Sequence, residues 1–497
     1  MRFAVLAPLV VLAAPACMPH AFAVEYVTFA EALAVAFPGG GAAQKLVPTT
    51  EPPGDASASL GGVYVACDAA GALEAVLIID NVIGRTEFIT YACILAPDGA
   101  VRRLEVMAYR EPIGGEVRQR RFLDQFAGKR VGDRLRPGRD IANVAGATLS
   151  VNALAGRVAT MLAWWRDGLS GDVQRWQAAR GDAGAAVPGV VERAAAIGSA
   201  SLTVRLRGGD GEQGEARLGA AAETALARAG ELDAILNSWR ADSELAALNR
   251  LGEAALSAEL DAALGEAGAL WSATGGRFDP TVGPLLVAWR DAVAEGRRPS
   301  VDELAAARAR IGFDRVRLGD GRARLGGAAL DLGGINKGRI LDQCARTVGA
   351  LLEPGDGGVI GYGASSWIAL GEPGDLGAIT LRHPGDPARA AWRIRLRAGQ
   401  ALGASAAAGQ TFVVGGETFS HLIDPLSGEP APLERAAVVV APSAAEADGL
   451  DNTLCLLPPA EALALVATRP GVEAAVWDGA RWQVSAGWTG SEAPAAE

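Results

Sequence analysis

The stretch Asp331-Leu332-Gly333-Gly334-Ile335-Asn336-Lys337-Gly338 combines adjacent glycines with a lysine. Lysine is scarce in the chain and occurs only at Lys45, Lys129 and Lys337. Glycine lets the backbone approach a ligand closely, and successive backbone N–H groups bind anions. The segment can therefore bring backbone N–H groups and Lys337 close to phosphate oxygens. Taken alone, a Gly-Gly pair is more often a turn, and a lysine is more often solvated.

Two oxygen-bearing side chains lie further along the chain. Asp448 offers a hard carboxylate ligand, and Asn452, four residues later, falls on the same face of a helix. The two residues can therefore share a Mg²⁺ ion. An isolated aspartate is also a common helix N-cap, which is the simpler interpretation of Asp448 by itself.

A single histidine supplies the candidate base. His421 opens the stretch His421-Leu422-Ile423-Asp424-Pro425, and the only other histidines are His20 and His383. A lone histidine is more often structural, and an aspartate before proline is typical of a turn. Together, however, a phosphate-binding segment, metal ligands and an imidazole base describe attack on a phosphoryl group.

Two further motifs complete the pattern, Asp242-Ser243-Glu244-Leu245 and Phe278-Asp279-Pro280-Thr281-Val282-Gly283-Pro284-Leu285. In their order and spacing the four stretches resemble the ApbE family of FAD:protein FMN transferases, from about Ile197 to Val466. The resemblance implies bound FAD and Mg²⁺. It also implies transfer of the FMN half of FAD onto a protein threonine, with loss of AMP.

The resemblance also implies roles for individual residues. His421 would be the catalytic histidine that assists removal of the threonine proton. Asp448, Asn452 and a backbone carbonyl near Gly334 would hold the metal. The residues expected to bind FAD are Asp242, Ser243, Glu244, Phe278, Asp279, Thr281, Gly333, Lys337 and Asp424.

The sequence departs from the family pattern at two places. The family commonly has threonine where Asn452 stands, with Thr453 one residue later. Because an amide also offers an oxygen, we expect Asn452 to be the ligand. The glycine-rich strand reads Gly361-Tyr362-Gly363-Ala364-Ser365 instead of the usual Gly-Gly-Asp, which affects the expected adenine or ribose contacts.

A second resemblance concerns the first third of the chain. Ala145-Gly146-Ala147-Thr148-Leu149-Ser150 looks like the threonine segment of FMN-binding domains, as in the flavoprotein subunits of sodium-pumping oxidoreductases. The resemblance implies that Thr148 carries FMN through a phosphodiester bond. Ala145 replaces the usual hydroxyl residue, and the expected upstream acidic residue is off-register, with Asp140 the nearest. The alternative is ordinary N-capping of a helix over Val151 to Trp165.

Composition sets the class of protein. Half of the 497 residues are hydrophobic and 21% are charged, as in soluble globular proteins. The formal net charge of −11 argues against a nucleic-acid partner. The chain is too long for one core, which predicts two domains, and its helical and strand-like segments predict that both are α+β. The expected division is a signal peptide (1–23), an FMN-binding domain (24–170), a linker (171–190), a transferase domain (191–487) and a flexible tail (488–497).

The first residues indicate export. A positive Arg2, an apolar run and Ala21-Phe22-Ala23 are typical of a cleaved signal peptide, which predicts a periplasmic protein. Lipoprotein anchoring at Cys17 is the less favoured alternative. An oxidising compartment permits a disulfide between Cys67 and Cys93, which their spacing alone does not establish.

The resulting hypothesis is an exported protein whose C-terminal domain attaches FMN to Thr148, in cis or on a neighbouring copy. The product would be a covalent flavoprotein for electron transfer outside the cytoplasm, with a membrane-bound redox complex as a potential partner. The transferase could instead load other exported acceptors. Two rivals remain, an FAD pyrophosphatase that yields FMN and AMP, and an electron-transfer flavoprotein with a non-catalytic FAD-binding domain.

Overall fold

The structure is a computed structural model. It describes residues 24–25, 27, 29–38, 44–46, 48, 60–67, 72–83, 88–109, 115–144, 147–182, 190–198, 200–208, 211–238, 240–409, 411–414 and 417–492. The predicted signal peptide, including Cys17, lies outside these residues. The mixture of helices and antiparallel sheets agrees with the predicted α+β class.

The first part of the chain forms a six-stranded antiparallel sheet with the strand order β1-β6-β5-β4-β3-β2. Its strands are β1 (Val24–Glu25), β2 (Gln44–Leu46), β3 (Leu60–Cys67), β4 (Leu73–Ile83), β5 (Phe88–Leu95) and β6 (Val101–Tyr109). The helices of this part are α1 (Phe29–Ala36), α2 (Arg120–Leu123), α3 (Thr148–Trp164) and α4 (Ser170–Asp182). Side chains alternate between the two faces of a strand, so the sheet has two cores. One face packs against α3 and the other against α1.

The segment predicted to be a linker is helical over residues 171–182. The helix α3 runs into a π-helical turn, Trp165–Leu169, and continues as α4 to Asp182. The next strand begins at Val190, and residues 183–189 lie outside the described residues. The buried residues Leu169 and Val173 explain why the chain stays helical, because both belong to the core beneath α3.

The larger part of the chain surrounds an eight-stranded antiparallel sheet with the order β21-β20-β19-β16-β13-β12-β8-β7. Its strands are β7 (Val190–Ile197), β8 (Ala200–Arg207), β12 (Gly357–Tyr362), β13 (Ser366–Gly371), β16 (Ala401–Ala406), β19 (Ala436–Ala441), β20 (Glu473–Trp477) and β21 (Trp482–Val484). Three small sheets are formed by β9 (Glu253–Ala255), β10 (Arg317–Gly319) and β11 (Arg322–Arg324), by β14 (Ala378–His383), β15 (Asp386–Arg395) and β22 (Ser491–Glu492), and by β17 (Thr411–Val414) and β18 (Glu417–Ser420).

Helices cover one face of the eight-stranded sheet. They are α5 (Gly211–Leu236), α6 (Glu244–Leu251), α7 (Ala258–Ala273), α10 (Asn336–Gly349), α11 (Ala444–Cys455) and α12 (Pro459–Ala467). Two further helices, α8 (Gly283–Ala294) and α9 (Val301–Arg308), form a separate small core with Ile423. The period of apolar residues predicts helices over 218–236 and 301–311, and these correspond to α5 and α9. The opposite face of the sheet packs against β15, where Trp392 and Ile394 are buried.

The predicted flexible tail is ordered over its first half. The ring of Trp488 packs edge-on against Trp392 at a centroid distance of 5.3 Å, and Ser491–Glu492 pairs with β15. Large aromatic surfaces stabilise a chain end that composition alone suggests will fray. Residues 493–497 lie outside the described residues.

Two cysteines, Cys67 and Cys93, lie on strands of the six-stranded sheet. Cys93 is a free, buried thiol on β5, and burial raises its pKa to about 12. The side chain of Cys67 lies outside the described side chains, but its backbone pairs with Leu73, whereas Cys93 pairs with Ile78. Cys93 therefore behaves as a small core residue.

The helices α10 and α11 approach each other closely at Gly338. A methyl group at this position would overlap the carbonyl oxygen of Ala444, which is the first residue of α11. Glycine is therefore required here by packing, because only a residue without Cβ lets the two backbones meet.

We expect Gly338→Ala to lower the free energy of unfolding by about 3 kcal/mol, because backbone atoms cannot move aside as a flexible side chain can. Gly349→Ala at the end of the same helix is the matched control, since a methyl group there meets open space. That control should be neutral or stabilise by about 0.5 kcal/mol. Urea denaturation of both variants measures the difference, and equal effects would contradict the packing explanation.

Candidate active site

The N-terminus of α11 is fixed by an aspartate of α10. Asp342 accepts hydrogen bonds from Ser443 Oγ at 2.8 Å, from Ala444 N at 2.8 Å and from Ala445 N at 2.9 Å. Burial raises the pKa of Asp342, and these three donors oppose that rise. The unpaired N–H groups and the helix dipole both favour a carboxylate at this end. Ser443 is the N-cap residue, so Asp448 is not a helix cap.

Asp448 lies inside α11, and its carboxylate is 1% exposed. One oxygen, Oδ2, accepts a hydrogen bond from the Gly338 backbone N at 3.1 Å, and Oδ1 accepts one from Ser366 Oγ at 3.1 Å. Lys337 Nζ is 3.7 Å from Oδ1 and donates to Ser365 Oγ at 2.6 Å. The structure thus brings together the predicted phosphate-binding lysine and the predicted metal ligand.

Asn452 lies one helical turn beyond Asp448. Its Nδ2 donates to the Asp448 backbone oxygen at 3.3 Å, and its Oδ1 accepts a hydrogen bond from Ser405 Oγ at 2.8 Å. An amide oxygen can accept a second partner, so this contact is compatible with the predicted role. Thr453 is buried and donates to Gly449 O at 2.7 Å within the helix.

Sequence reasoning missed a second carboxylate, Asp451. It is 2% exposed, its Oδ1 has no hydrogen-bond partner, and burial together with nearby Asp448 raises its pKa well above the ordinary value. The signal was present in the sequence, because a position three residues after Asp448 also lies near it on a helix. No group of three or more His, Cys, Asp or Glu residues gathers as metal ligands within the described ranges.

The glycine stretch before α10 forms a turn beside this helix. Asp331 Oδ1 accepts hydrogen bonds from Gly333 N at 2.8 Å and from Ser238 Oγ at 3.2 Å. Methyl groups placed on Gly334 and on Gly449 of α11 would lie 3.3 Å and 3.7 Å from the Phe278 ring. Phe278 therefore lies between the predicted carbonyl ligand and the helix that carries Asp448.

Asp279 and Thr281 fold the segment after Phe278 onto itself. Asp279 Oδ1 accepts hydrogen bonds from Thr281 N at 2.8 Å and Thr281 Oγ1 at 2.6 Å, and Thr281 Oγ1 accepts one from Gly312 N at 2.6 Å. Burial raises the pKa of Asp279, and its bonds to Thr281 oppose that rise. Both side chains are buried and engaged with protein groups, so this geometry gives them a structural role. Their predicted contact with FAD stays a prediction.

In the motif Asp242-Ser243-Glu244-Leu245, two side chains form hydrogen bonds with backbone groups and one is exposed. Ser243 is fully buried as the N-cap of α6 and accepts a hydrogen bond from Ala246 N at 3.0 Å. Glu244 Oε1 accepts one from Ser257 N at 2.6 Å. Asp242 is exposed, and its hydrogen bond with Arg240 lowers its pKa. Of the three residues in this motif that are predicted to bind FAD, Asp242 therefore has the side chain most accessible to a ligand.

The His421 loop follows the two-stranded sheet β17–β18. Arg277 Nη1 is 3.2 Å from Asp424 Oδ2, which ties this loop to the segment that carries Phe278. Trp289 Nε1 donates to Gly428 O at 2.7 Å, and its ring packs against Phe419 of β18 at 5.6 Å. The loop is thus held from both sides, and its half-buried histidine follows directly on β18.

Thr148 is the first residue of α3 and is exposed. Its Oγ1 accepts a hydrogen bond from Asn143 Nδ2 at 3.3 Å. Ala147 occupies the N-cap position, so the Thr148 hydroxyl does not cap the helix. Ala145 and Gly146 lie outside the described residues, and Asp140 pairs with Arg136.

Comparison with known proteins assigns the class. The ApbE family matches residues 199–476, more than half of the chain, and the chain belongs to this family. The prediction of an ApbE-type domain is therefore confirmed, and the protein is an enzyme of this flavin transferase family.

Individual relatives agree with the family match. The chain is 27% identical over 251 residues to an FAD:protein FMN transferase of Klebsiella pneumoniae, covering 47% of this chain and 70% of the relative. It is 42% identical over 62 residues to a protein of the same name from Chlamydia pneumoniae, covering 12% of this chain and 20% of that one. The fold is similar to the crystal structure of the ApbE protein of Thermotoga maritima, with TM-score 0.53 and 22% identity, over 60% of this chain and 97% of that one.

The tryptophan that holds the His421 loop gives a stability prediction. We expect Trp289→Phe to keep most of the ring packing but to leave the Gly428 carbonyl without its donor. Trp392→Phe is the matched control, because Trp392 is also buried and its Nε1 has no partner. Trp289→Phe should lower the free energy of unfolding by about 1–2 kcal/mol more than Trp392→Phe does. Equal losses in chemical denaturation would show that the hydrogen bond contributes nothing.

Proposed function

We propose that this enzyme transfers the FMN half of FAD to Thr148, in the same chain or in a neighbouring copy, and releases AMP. Family membership and the two relatives named FAD:protein FMN transferases support the reaction type. The cluster around Asp448 and Lys337 supports the location of the phosphate-binding centre, and this cluster is the observation that carries the proposal.

The proposed step is a phosphoryl-group substitution. A bond forms between the threonine Oγ and the phosphorus of the FMN half, and the bond between that phosphorus and the bridging oxygen breaks. AMP leaves with the bridging oxygen, and the hydroxyl proton passes to the His421 imidazole. A histidine suits this task because its unperturbed pKa lies near neutrality. Lys337 is placed to offset negative charge on the pyrophosphate.

The residues of the cluster fit a hard divalent cation. The unpaired, buried oxygen of Asp451 is the observation that favours a cation over a purely hydrogen-bonded cluster. Asp448 and Asn452 would hold Mg²⁺ together with the backbone carbonyl of Gly334, since Mg²⁺ prefers oxygen ligands. When bound, the ion would neutralise charge on the phosphate oxygens. When no metal ion is bound, the ammonium group of Lys337 is the positive charge that lies next to Asp448.

Accessibility supports Thr148 as the acceptor. Thr148 is exposed at the start of α3, whereas the nearby hydroxyl of Ser150 is 3% exposed and lies 3.0 Å from the Tyr109 hydroxyl. Of the two, only Thr148 offers a hydroxyl that another protein surface can reach. The N-terminal part would then act as a covalent FMN carrier.

We further propose that the protein works outside the cytoplasm, on the strength of the signal-like residues 1–23. A membrane-bound redox complex would be its electron-transfer partner. Within the described residues, every helix is too short or too polar to cross a membrane.

The test is intact-mass analysis of the full chain after incubation with FAD and Mg²⁺, with AMP measured in the same samples. We expect one FMN per chain and one AMP per FMN attached. Thr148→Ala and His421→Ala should each abolish the added mass. Thr160→Ala, which removes a half-exposed hydroxyl from the same helix, is the control and should be flavinylated like the wild type.

Three outcomes count against the proposal. Release of AMP and free FMN without added mass would make the protein an FAD pyrophosphatase. Bound FAD with neither product would make it a flavin-binding electron carrier. Added mass that survives Thr148→Ala would move the acceptor to another residue.

A further inference from the structure

We infer that Asp451 is a second carboxylate ligand of the divalent cation, beside Asp448. The inference rests on the proposed function, which supplies the reason for a cation at this place. It goes beyond that function because it gives the site a ligand at a position that neither the motif nor the spacing singled out.

Asp451 is buried, yet one oxygen of its carboxylate lacks a hydrogen-bond donor. Each oxygen of the Asp448 carboxylate accepts a hydrogen bond, whereas Asp451 Oδ1 accepts none although the residue is 2% exposed. A buried polar atom without a partner costs free energy, and a buried carboxylate without a counterion costs more. A bound cation would remove this cost.

The carboxylates of Asp448 and Asp451 both lie over the eight-stranded sheet. Ser366 of β13 and Gly403 of β16 are cross-strand partners. Ser366 Oγ donates to Asp448 Oδ1, and a methyl group on Gly403 would lie 2.8 Å from Asp451 Oδ2. Paired Cα atoms of neighbouring antiparallel strands are about 4.5–5.5 Å apart. The two carboxylates therefore lie side by side above adjacent strands.

Gly403 creates the space for this arrangement. The same methyl group would also lie 2.6 Å from the carbonyl oxygen of Ala447 in α11. The absence of a side chain thus lets the helix settle onto the sheet with Asp451 pointing towards it. Backbone and carboxylate oxygens are then both close to the strand surface.

The charge of the cluster formed by Asp448, Asp451 and Lys337 also favours a bound cation. Lys337 Nζ lies 3.7 Å from Asp448 Oδ1 and can offset one of the two negative charges. One negative charge then remains in a buried place. A hard divalent cation prefers carboxylate oxygens, and adding a carboxylate to a site raises its affinity. We therefore expect the protein to bind a divalent cation without FAD.

The experiment titrates Mn²⁺ into the full-length protein without FAD and follows free Mn²⁺ by electron paramagnetic resonance. Wild type should bind one Mn²⁺, and Asp451→Asn should bind it at least tenfold more weakly. Asp356→Asn is the matched control, because Asp356 is another buried aspartate that pairs with Arg217 instead. That variant should bind Mn²⁺ like the wild type.

Thermal unfolding with and without Mg²⁺ is the second measurement. Without the cation, Asp451→Asn should be at least as stable as wild type, since the substitution removes a buried carboxylate whose Oδ1 accepts no hydrogen bond. With Mg²⁺, its rise in Tm should be smaller than that of wild type, because ligand binding stabilises the folded state in proportion to affinity.

Unchanged Mn²⁺ affinity in Asp451→Asn, or no Mn²⁺ binding by the wild type, would overturn the inference. A lower Tm with unchanged affinity would make Asp451 a purely structural residue and would also overturn it. The proposed function is judged separately by flavin attachment. Cation binding that depends on Asp451 without any flavin transfer would support the inference and reject the function.

Discussion

The contact between α10 and α11 at Gly338 is the constraint on which the candidate site depends. Gly338 lets the backbones of the two helices meet, and its N–H group donates directly to the Asp448 carboxylate. Asp342, further along α10, binds the N-terminus of α11 and sets its position along the axis. The same short helix surface therefore fixes where α11 lies and what its buried carboxylate touches.

This arrangement places several polar groups inside a core that is otherwise apolar. Gly403 and Gly449 remove side chains where α11 meets the sheet and the Phe278 ring, so the helix can approach both closely. In the polar cluster of Asp448, Asp451 and Lys337, the two carboxylates are buried, where electrostatic interactions are stronger than in water. The Lys337 side chain is half-buried beside Asp448. Such a cluster lowers stability unless its charges are compensated, which is why a cation-binding role explains it better than packing alone.

The sequence was most informative about the family and about the residues around Asp448. The motifs identified the ApbE-type domain, and the structure brings Lys337 and Asp448 together. The sequence was less informative about side chains that serve the backbone. Ser243 and Thr281 sit in recognisable motifs, yet each is buried and bonded to neighbouring backbone groups. A motif alone does not distinguish a residue that binds a ligand from one that shapes the loop around it.

The segments predicted to be a linker and a flexible tail both carry ordered structure over part of their length, for physical reasons. The stretch after Leu169 is polar, and the π-helical turn Trp165–Leu169 interrupts the regular period of apolar residues. The sequence pattern therefore does not indicate α4, although Val173 of this helix is buried. The tail after Gly487 is short and acidic, but Trp488 packs against Trp392 across the sheet. The spacing of Asp451 from Asp448 is visible in the sequence, but the burial of Asp451 and its unpaired oxygen follow from the packing of α11 on the sheet.

The proposed flavin acceptor of this enzyme is Thr148 of its own sequence. Peptide mapping by tandem mass spectrometry of the wild type, after incubation with FAD and Mg²⁺, tests it most directly. Trypsin releases Thr148 and Ser150 together in the peptide 140–157, and fragmentation separates the two positions. We expect FMN on Thr148 alone. FMN on Ser150, FMN on a peptide elsewhere in the chain, or no modified peptide would contradict it.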